Sequence, residues 1–167
     1  MTTTPFAGLV SAGEHAVLLG GPLGAVEILP GDATGGRLAV VEHVLAPHAL
    51  GAPMHTHTRE DEYTLVQEGL VGVQVGDEVI EAGPGDVVVK PRGIPHAVWN
   101  PTDRPARLLE IIMPGAFAAY FGDLAALMGA GAPDLAAVVE LAGRYGVQLD
   151  AASVPGLVER YGLHAEF

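Results

Sequence analysis

A succession of short β-type segments is the feature that most constrains the fold of this chain. Between residues 16 and 113, nine runs rich in Val, Ile and Leu alternate with Gly, Pro, Asn and Asp. The runs span 16–20, 25–29, 37–45, 62–69, 70–75, 78–83, 86–91, 96–100 and 106–113. In VQVGDEVI, Gly-Asp stands where a hairpin turn is expected. Many short strands at this regular spacing favour an antiparallel sandwich or barrel.

The pattern changes after Pro114, where apolar residues recur at the three- and four-residue steps of a helix. The first such series is Phe117, Tyr120, Phe121, Leu124, Leu127 and Met128. A second helix is expected over 133–146, which begins with Pro and ends with Gly, and a third over 153–163. We therefore predict a β-barrel domain over 1–113 and a C-terminal helical extension over 114–167 that packs on the barrel.

Charge and composition exclude several classes of function. The 167-residue chain has a formal net charge of -12, with eight basic side chains against twenty acidic ones. Binding to nucleic acid, or to an anionic membrane surface, needs Lys and Arg and is not expected. The chain has no cysteine and hence neither disulfides nor thiolate chemistry. No apolar run is long enough for a membrane span and the N-terminus lacks a basic start, so a cytoplasmic protein is expected.

Two histidines stand two residues apart in the segment HTHTREDEY, residues 55–63. On a helix such residues point about 200° apart, so His55 and His57 could not share an ion. On a strand they lie on one face, roughly 6–7 Å apart along the chain. Two imidazoles at that spacing can hold one metal at about 2.0–2.1 Å each. Pro53 before them and the strand-like run after them favour the extended setting, in which His-x-His can bind a metal.

Three acids follow the histidines, and one of them could complete the site. A turn is expected between His57 and the acids Glu60, Asp61 and Glu62, so strand parity does not choose among the three. The acids that bind no metal are expected to be solvated. A carboxylate with histidines suits Fe, Mn, Ni, Co or Zn, and the lack of Cys disfavours copper(I) and iron–sulfur clusters.

A further histidine follows a rigid turn in GDVVVKPRGIPHAVWN, residues 85–100. The residues that fix this corner are Pro91, Gly93 and Pro95. His96 begins the next strand and is therefore held by ordered backbone, which is how a ligand from a distant strand could be aimed at the first two. Arg92, inside the turn, is expected to be an ordinary solvated arginine.

These residues resemble the two motifs of the cupin family. The first motif is His-x-His, three or four residues, Glu, six residues and Gly, and it is matched by His55, His57, Glu62 and Gly69. The second is Gly, five residues, Pro-x-Gly, two residues, His, three residues and Asn, and it is matched by Gly85, Pro91, Gly93, His96 and Asn100. The family's leading Gly stands five residues before the first His, whereas Gly51 has only three residues between, a small departure in the incoming turn.

The resemblance covers about residues 35–113, with the motifs at 51–69 and 85–100, and it implies a jelly-roll β-barrel with a metal inside one open end. It implies one divalent metal ion per chain, and the implied ligands are His55, His57, Glu62 and His96. It thereby selects Glu62 over its acidic neighbours. The tail after residue 113 more loosely resembles that of quercetinase-like bacterial cupins. In quercetinase-like enzymes the ligand Glu also deprotonates the substrate, so Glu62 becomes the candidate catalytic base.

Three imidazoles and one carboxylate leave about two positions open on a six-coordinate metal. Water, dioxygen or a chelating substrate could take them. The first hypothesis is a metal-dependent dioxygenase that acts on a small organic molecule by quercetinase-like ring or enol cleavage. The alternatives are a redox-neutral metal-dependent isomerase or lyase, and a cupin that binds a small ligand without catalysis.

The rest of the substrate pocket is expected to be apolar. Met54, Val73 and Val98 are candidate lining residues, and Val98 shares strand parity with His96. His43 could also face the pocket, although a satisfied structural histidine is an alternative. Trp99 is expected to point the opposite way, into packing under the helices or at an interface. The helices themselves are expected to be packing or dimer elements, and a homodimer is expected because this family usually buries an edge strand and an apolar sheet face against a copy of itself.

Overall fold

The computed structural model describes residues 8–129 and 135–165. Eleven strands lie in these residues: β1 (Ala16–Leu19), β2 (Leu23–Leu29), β3 (Ala39–Leu45), β4 (Leu50–His57), β5 (Asp61–Glu68), β6 (Val71–Val75), β7 (Glu78–Ala82), β8 (Val87–Lys90), β9 (His96–Trp99), β10 (Ala106–Met113) and β11 (Val147–Leu149). The helices are α1 (Ala119–Gly129), α2 (Leu135–Arg144) and α3 (Ser153–Tyr161), and short 3-10 turns occur at Ala12–Glu14, Asp32–Thr34 and Gly115–Ala118.

The strands form two antiparallel sheets. The six-stranded sheet has the order β1-β2-β3-β10-β5-β8, and the five-stranded sheet has the order β11-β4-β9-β6-β7. The predicted mainly-β class is thus confirmed, and each of the nine predicted runs overlaps a strand. The predicted closed barrel is not, because no strand pairing within the described residues joins one sheet to the other. The jelly-roll description stays a prediction.

The inner face of the six-stranded sheet is set by strand alternation. On β3 the buried positions are Ala39, Val41, His43 and Leu45, and on β10 they are Ala106, Leu108, Glu110 and Ile112. A period of two puts each of these sets on one face of its strand. The apolar members contribute to two core clusters, one that includes Val41 and Ile112 and one that includes Leu45 and Leu108. On these two strands, His43 and Glu110 are therefore the polar residues of an otherwise apolar inner face.

The region after Met113 is not wholly helical. Besides the three helices it contributes β11, which pairs with β4 so that Leu149 lies opposite His55. This strand was not predicted from the sequence because it is only three residues long. The aromatic residues of the first predicted helix are buried against the core, as their spacing indicated, including Phe117 and Phe121.

Helix α3 covers the face of the five-stranded sheet that carries Trp99. Trp99 is 2% exposed, stacks on Tyr161 with ring centroids 4.3 Å apart, and shares a core cluster with Leu157 of α3. The expectation that Trp99 packs under the helices is therefore confirmed. Gly72 leaves the room for the indole, because a Cβ there would collide with the Trp99 ring. No helix in the described residues is long and apolar enough to cross a membrane.

Candidate metal centre

Four side chains converge between the two sheets, and they are the four that the cupin resemblance implies. They are His55 and His57 on β4, Glu62 on β5 and His96 on β9. Each offers one ligand atom, and these atoms all lie within 4.8 Å of one another. Three of the four residues are buried and His55 is partly buried. This cluster could hold one metal ion.

Strand geometry brings the three imidazoles together. In the pairing of β4 with β9, His55 lies directly opposite His96, and the two ring centroids are 4.3 Å apart. His57 follows two residues after His55 on the same face of β4, with 5.1 Å between their ring centroids. The rings of His57 and His96 are nearly parallel, with centroids 5.5 Å apart. The extended setting that the His-x-His spacing needed is thus the one observed.

The turn before His96 is fastened to both sheets. Gly93 has a φ of 77°, and its N–H donates to the carbonyl oxygen of His57 at 2.8 Å. Arg92 donates through its backbone N–H to Asp61 Oδ1 at 2.9 Å and through Nη2 to Asp61 Oδ2 at 2.6 Å. Arg92 is therefore paired, whereas the sequence analysis expected it to be merely solvated. These hydrogen bonds lower the pKa of Asp61 to about 2.

Each imidazole is oriented by a hydrogen bond at Nδ1. The partners are Pro53 O for His55 at 2.8 Å, Ile94 O for His96 at 3.0 Å and Glu60 Oε2 for His57 at 3.3 Å. A carbonyl oxygen can only accept, so Nδ1 of His55 and of His96 carries the proton. The lone pair of each of these neutral rings is then at Nε2, and this is how metal-binding histidines are commonly held.

Glu60 does not lie where the sequence analysis expected it. It was expected to be a solvated turn residue, but its side chain is 4% exposed and contacts His57. The expectation was wrong because the turn between β4 and β5 places the carboxylate of Glu60 next to Nδ1 of His57. Asp61, the other neighbour of Glu62, stays on the surface with Arg92. The three consecutive acids therefore have three roles: partner of His57, surface ion pair and member of the cluster.

The protein atoms of the cluster fit a cation better than they fit one another. His57 Nε2 lies 3.4 Å from Glu62 Oε1, and His96 Nε2 lies 3.3 Å from Glu62 Oε2. Burial lowers the pKa of His55 and of His96, which favours neutral rings. Among the described residues, His96 Nε2 is buried without a hydrogen-bond partner. Lone pairs that face a carboxylate are unfavourable unless a positive ion lies between them, and the donor set suits a divalent metal.

A family model describing a cupin domain matches residues 41–112, the part of the chain that contains all four of these residues. Residues 41–112 therefore belong to the cupin superfamily. TT1209 from Thermus thermophilus is a similar solved structure, 25% identical, with a TM-score of 0.53 over 64% of this chain and 97% of that chain. Oxalate decarboxylase from Bacillus subtilis, which has Mn(II) centres, is 25% identical, with a TM-score of 0.54 over 66% of this chain and 32% of that chain.

A third similar structure shows the fold alone. The polyketide cyclase RemF from Streptomyces resistomycificus is 20% identical, with a TM-score of 0.55 over 64% of this chain and 79% of that chain. No curated protein sequence matches this chain. The comparisons therefore support the cupin superfamily for residues 41–112, and the chemistry has to be argued from the residues of the site.

The cupin domain also contains a buried ion-pair network beside Glu62. Lys90 Nζ donates to Glu62 Oε2 at 3.0 Å and to Glu110 Oε2 at 2.8 Å. Thr64 Oγ1 donates to the Glu110 carboxylate at 3.0 Å and 3.2 Å. Cross-strand register places them together, because Glu62 lies opposite Lys90 and Thr64 lies opposite Glu110. All four side chains are buried.

The network sets the charge of its members. Burial alone would raise the pKa of Glu62, but Lys90 and the neighbouring imidazoles hold it well below its usual range. Burial would lower the pKa of Lys90, yet the carboxylates of Glu110 and Glu62 raise it. Burial raises the pKa of Glu110 to about 7, against the opposing effect of Lys90. Sequence analysis missed Lys90 and Glu110; the available signal was a single charge at an inward position of each apolar strand.

A cavity of about 130 Å³ opens beside the cluster and is mostly apolar. Of the predicted wall residues, Val98 and His43 line it. Within the described residues, neither Met54 nor Val73 lines the cavity. Met54 points to the opposite face of β4 from His55 and packs near Trp99, and Val73 is fully buried in a core cluster.

The C-terminal extension forms a large part of the cavity wall. Its lining residues are Phe117, Tyr120, Phe121, Leu124, Met128, Leu135, Val138, Val147 and Leu149. The helices were expected to be packing or dimer elements, and that expectation was incomplete. Phe117 also contacts the cluster directly, with its ring centroid 4.5 Å from that of His57. The extension therefore shapes the space next to the candidate metal site.

His43 is a polar group in this apolar wall that does not belong to the cluster. Its Nδ1 lies 3.0 Å from the carbonyl oxygen of Gly24, to which it donates, and its ring meets Phe121 edge-on at 4.9 Å. Burial lowers the pKa of His43 to about 4, so the ring is neutral near pH 7. With the proton on Nδ1, Nε2 is a hydrogen-bond acceptor. Both of the alternatives considered for His43 apply, since it is satisfied at one nitrogen and lines the pocket.

Proposed function

We propose that this cupin is a metal-dependent enzyme that acts on a small, largely apolar organic molecule, and that its first candidate activity is that of a dioxygenase. One divalent ion per chain would be held by His55, His57, Glu62 and His96. The observation that carries the proposal is the convergence of these four ligand atoms, within 4.8 Å of one another, beside a mostly apolar cavity that His55, His57 and Glu62 line. Catalytic pockets commonly combine such a wall with a few polar groups.

The donor set defines what the ion can contribute. Three imidazoles and one carboxylate leave about two coordination positions open and suit Fe, Mn, Co, Ni or Zn. When bound, such an ion supplies Lewis acidity and, if it is redox-active, electron transfer to an oxidant. The similarity to the Mn(II)-containing oxalate decarboxylase supports a first-row divalent metal here.

The protein residues around the ion would bind and orient the substrate. The apolar body of the substrate fits the aliphatic and aromatic wall formed by the extension, for example Phe121 and Leu124. The neutral His43 would accept a hydrogen bond from a hydroxyl group of the substrate through Nε2. The helices would also exclude water from the cavity, which strengthens electrostatic interactions there.

Glu62 is the proposed proton acceptor in the dioxygenase hypothesis. It is ionised and therefore able to accept a proton, but its ion pair with Lys90 lowers its pKa and weakens it as a base. That observation favours a second candidate, a redox-neutral isomerase or lyase, in which Glu62 serves only as a ligand. A third hypothesis, ligand binding without turnover, uses the same cavity.

A homodimer is proposed as the functional assembly. The outer face of the six-stranded sheet exposes apolar residues on neighbouring strands, including Val44, Val87, Val89 and Met113. Such a face, next to the edge strand β8, usually needs cover. Analytical ultracentrifugation of the wild type and of Val89→Lys tests the proposal. A wild-type dimer that becomes monomeric in the variant supports it, and a wild-type monomer contradicts it.

The activity is tested by metal analysis and oxygen consumption on the same protein. Protein purified without added metal is expected to contain about one Fe, Mn, Co or Ni per chain and to consume oxygen with flavonols or other enolic substrates. Stoichiometric zinc and conversion of substrate without oxygen uptake would favour the isomerase or lyase. Ligand binding without product would favour the binding module. Protein that neither contains nor takes up a divalent metal would contradict the proposal.

A further inference from the structure

We propose that Lys90 is a positioning residue that fixes the orientation of the metal ligand Glu62, and that Glu110 holds Lys90 in place. This inference rests on the metal binding proposed above, but not on the reaction. It assigns a role to two buried charged residues outside the ligand set.

The hydrogen bonds of Glu62 distinguish its two oxygens. Oε2 accepts a hydrogen bond from Lys90 Nζ at 3.0 Å. Oε1 lies 3.4 Å from His57 Nε2 and accepts no hydrogen bond from the described residues. Oε2 also lies 3.3 Å from His96 Nε2, so both oxygens face imidazole nitrogens of the cluster. The hydrogen bond from Lys90 therefore fixes the carboxylate plane that Glu62 would present to a cation.

Glu110 offsets the free-energy cost of burying Lys90. An ammonium group without water is costly unless it is paired and hydrogen-bonded. A divalent ion near Glu62 would also repel Lys90. Glu110 offsets both effects, because it accepts from Lys90 at 2.8 Å and is itself anchored by Thr64. The order of contacts is thus Thr64 to Glu110, Glu110 to Lys90, and Lys90 to Glu62.

A purely stabilising role does not account for this arrangement. Replacing a buried ion pair by apolar residues of similar size is often neutral or stabilising, so stability alone gives little reason for a charged pair here. The inner face of β8 also accepts apolar residues, since Val88 is buried two residues before Lys90. What the pair does provide is a fixed hydrogen bond to a ligand, and such contacts typically contribute about 10–100-fold to metal affinity.

The test uses cobalt(II) as the probe and the double variant Lys90→Met/Glu110→Leu as the decisive protein. Removing Lys90 and Glu110 together leaves Glu62 as the one carboxylate of the network without its cation, so this variant is expected to be more stable than Lys90→Met alone. We expect it to bind cobalt about 10–100-fold more weakly than the wild type. Its visible cobalt absorption spectrum should also change, since Glu62 would be free to rotate. A folded double variant with the wild-type cobalt affinity and spectrum would overturn the inference.

Two further proteins make the result specific. Arg144→Met removes a cation from an ion pair with Glu140. This pair is exposed, whereas the Lys90 network is buried, so the variant should leave cobalt binding unchanged. Wild-type protein that binds no cobalt would overturn this inference together with the proposed metal site. Wild-type protein that binds cobalt but shows no turnover would contradict only the proposed enzyme activity, and the effect of the double variant on cobalt affinity would still be expected.

Discussion

The two sheets of this cupin contribute to the candidate metal centre in different ways. The five-stranded sheet carries the three histidines on β4 and β9, and two of them donate Nδ1–H to a backbone carbonyl two residues before them in the chain. The six-stranded sheet carries the carboxylate Glu62, which depends on side chains from other strands, Lys90 on β8 and Glu110 on β10. One half of the site is thus oriented locally and the other through long-range contacts.

Charge explains this difference. A neutral imidazole can be buried once its N–H has an acceptor, and a nearby carbonyl is enough. A buried carboxylate needs a positive partner, and the chain has to bring that partner from another strand. The ligands from the five-stranded sheet are therefore expected to be robust to distant substitutions, whereas Glu62 should be sensitive to them. Substitutions in the two halves of the site therefore test this contrast.

Removing a histidine ligand should abolish metal binding. His96→Ala deletes one of four ligand atoms, and its effect should exceed the roughly 10–100-fold loss that is typical of mutating a partner of a ligand. Metal content measured by elemental analysis should fall from about one ion per chain to near zero. His164→Ala, which removes an exposed imidazole, is the matched control and should keep its metal. Full metal occupancy in His96→Ala would mean that the ion binds elsewhere.

Breaking the network on the six-stranded sheet should affect stability most. Lys90→Met leaves the carboxylates of Glu62 and Glu110 buried without their cation, and removing one partner of a buried pair costs about 3–5 kcal/mol. Adding Glu110→Leu should recover much of that loss, which a double-mutant cycle in urea unfolding would measure. If metal-free Lys90→Met is as stable as the metal-free wild type, the two halves of the site do not differ as described.

The same contrast explains what could be predicted from the sequence. Local spacing identified His55, His57 and His96, because strand parity and a Pro/Gly turn act within a few residues. Motif spacing then selected Glu62. Lys90 and Glu110 could not be found in this way, since their contacts depend on the cross-strand register of β5, β8 and β10.

The predictions for the extension and for Glu60 also failed where contacts depend on more than local spacing. The role of the extension was underestimated, because apolar periodicity shows that a helix is buried but not which cavity it faces. Glu60 was misplaced because the path of a turn cannot be read from parity. By contrast, the strands and the helices themselves were well predicted, since their apolar periodicity is local.

The partner of His57 should have an intermediate effect on the metal. His57 differs from the other two histidines because its Nδ1 contacts a side chain, Glu60, at 3.3 Å. Glu60→Leu removes this acceptor and should weaken metal binding by about 10-fold, the lower end of the range for partners of ligands. Glu60→Gln keeps an acceptor oxygen and should lose less. Equal affinities in titrations of wild type and Glu60→Leu would show that the contact does not orient the ring.

The smallest expected effect concerns the surface contact that links the two sheets. Asp61 at the start of β5 holds Arg92 in the turn before β9, and this contact lowers the pKa of Asp61 from 3.8 to about 2. Because the folded pKa is depressed, the contribution of Asp61 to stability is present above about pH 4 and is lost as the pH falls towards 2. Asp61→Asn should therefore reduce the difference in unfolding midpoint between pH 5 and pH 2 relative to the wild type.

Arg92→Met keeps the backbone hydrogen bond and should give a smaller reduction, since only the guanidinium contacts are removed. An unchanged pH dependence in Asp61→Asn would show that this contact does not fasten the turn. The orientation of His96 would then depend on the hydrogen bond from Gly93 to β4 and on the pairing of β9.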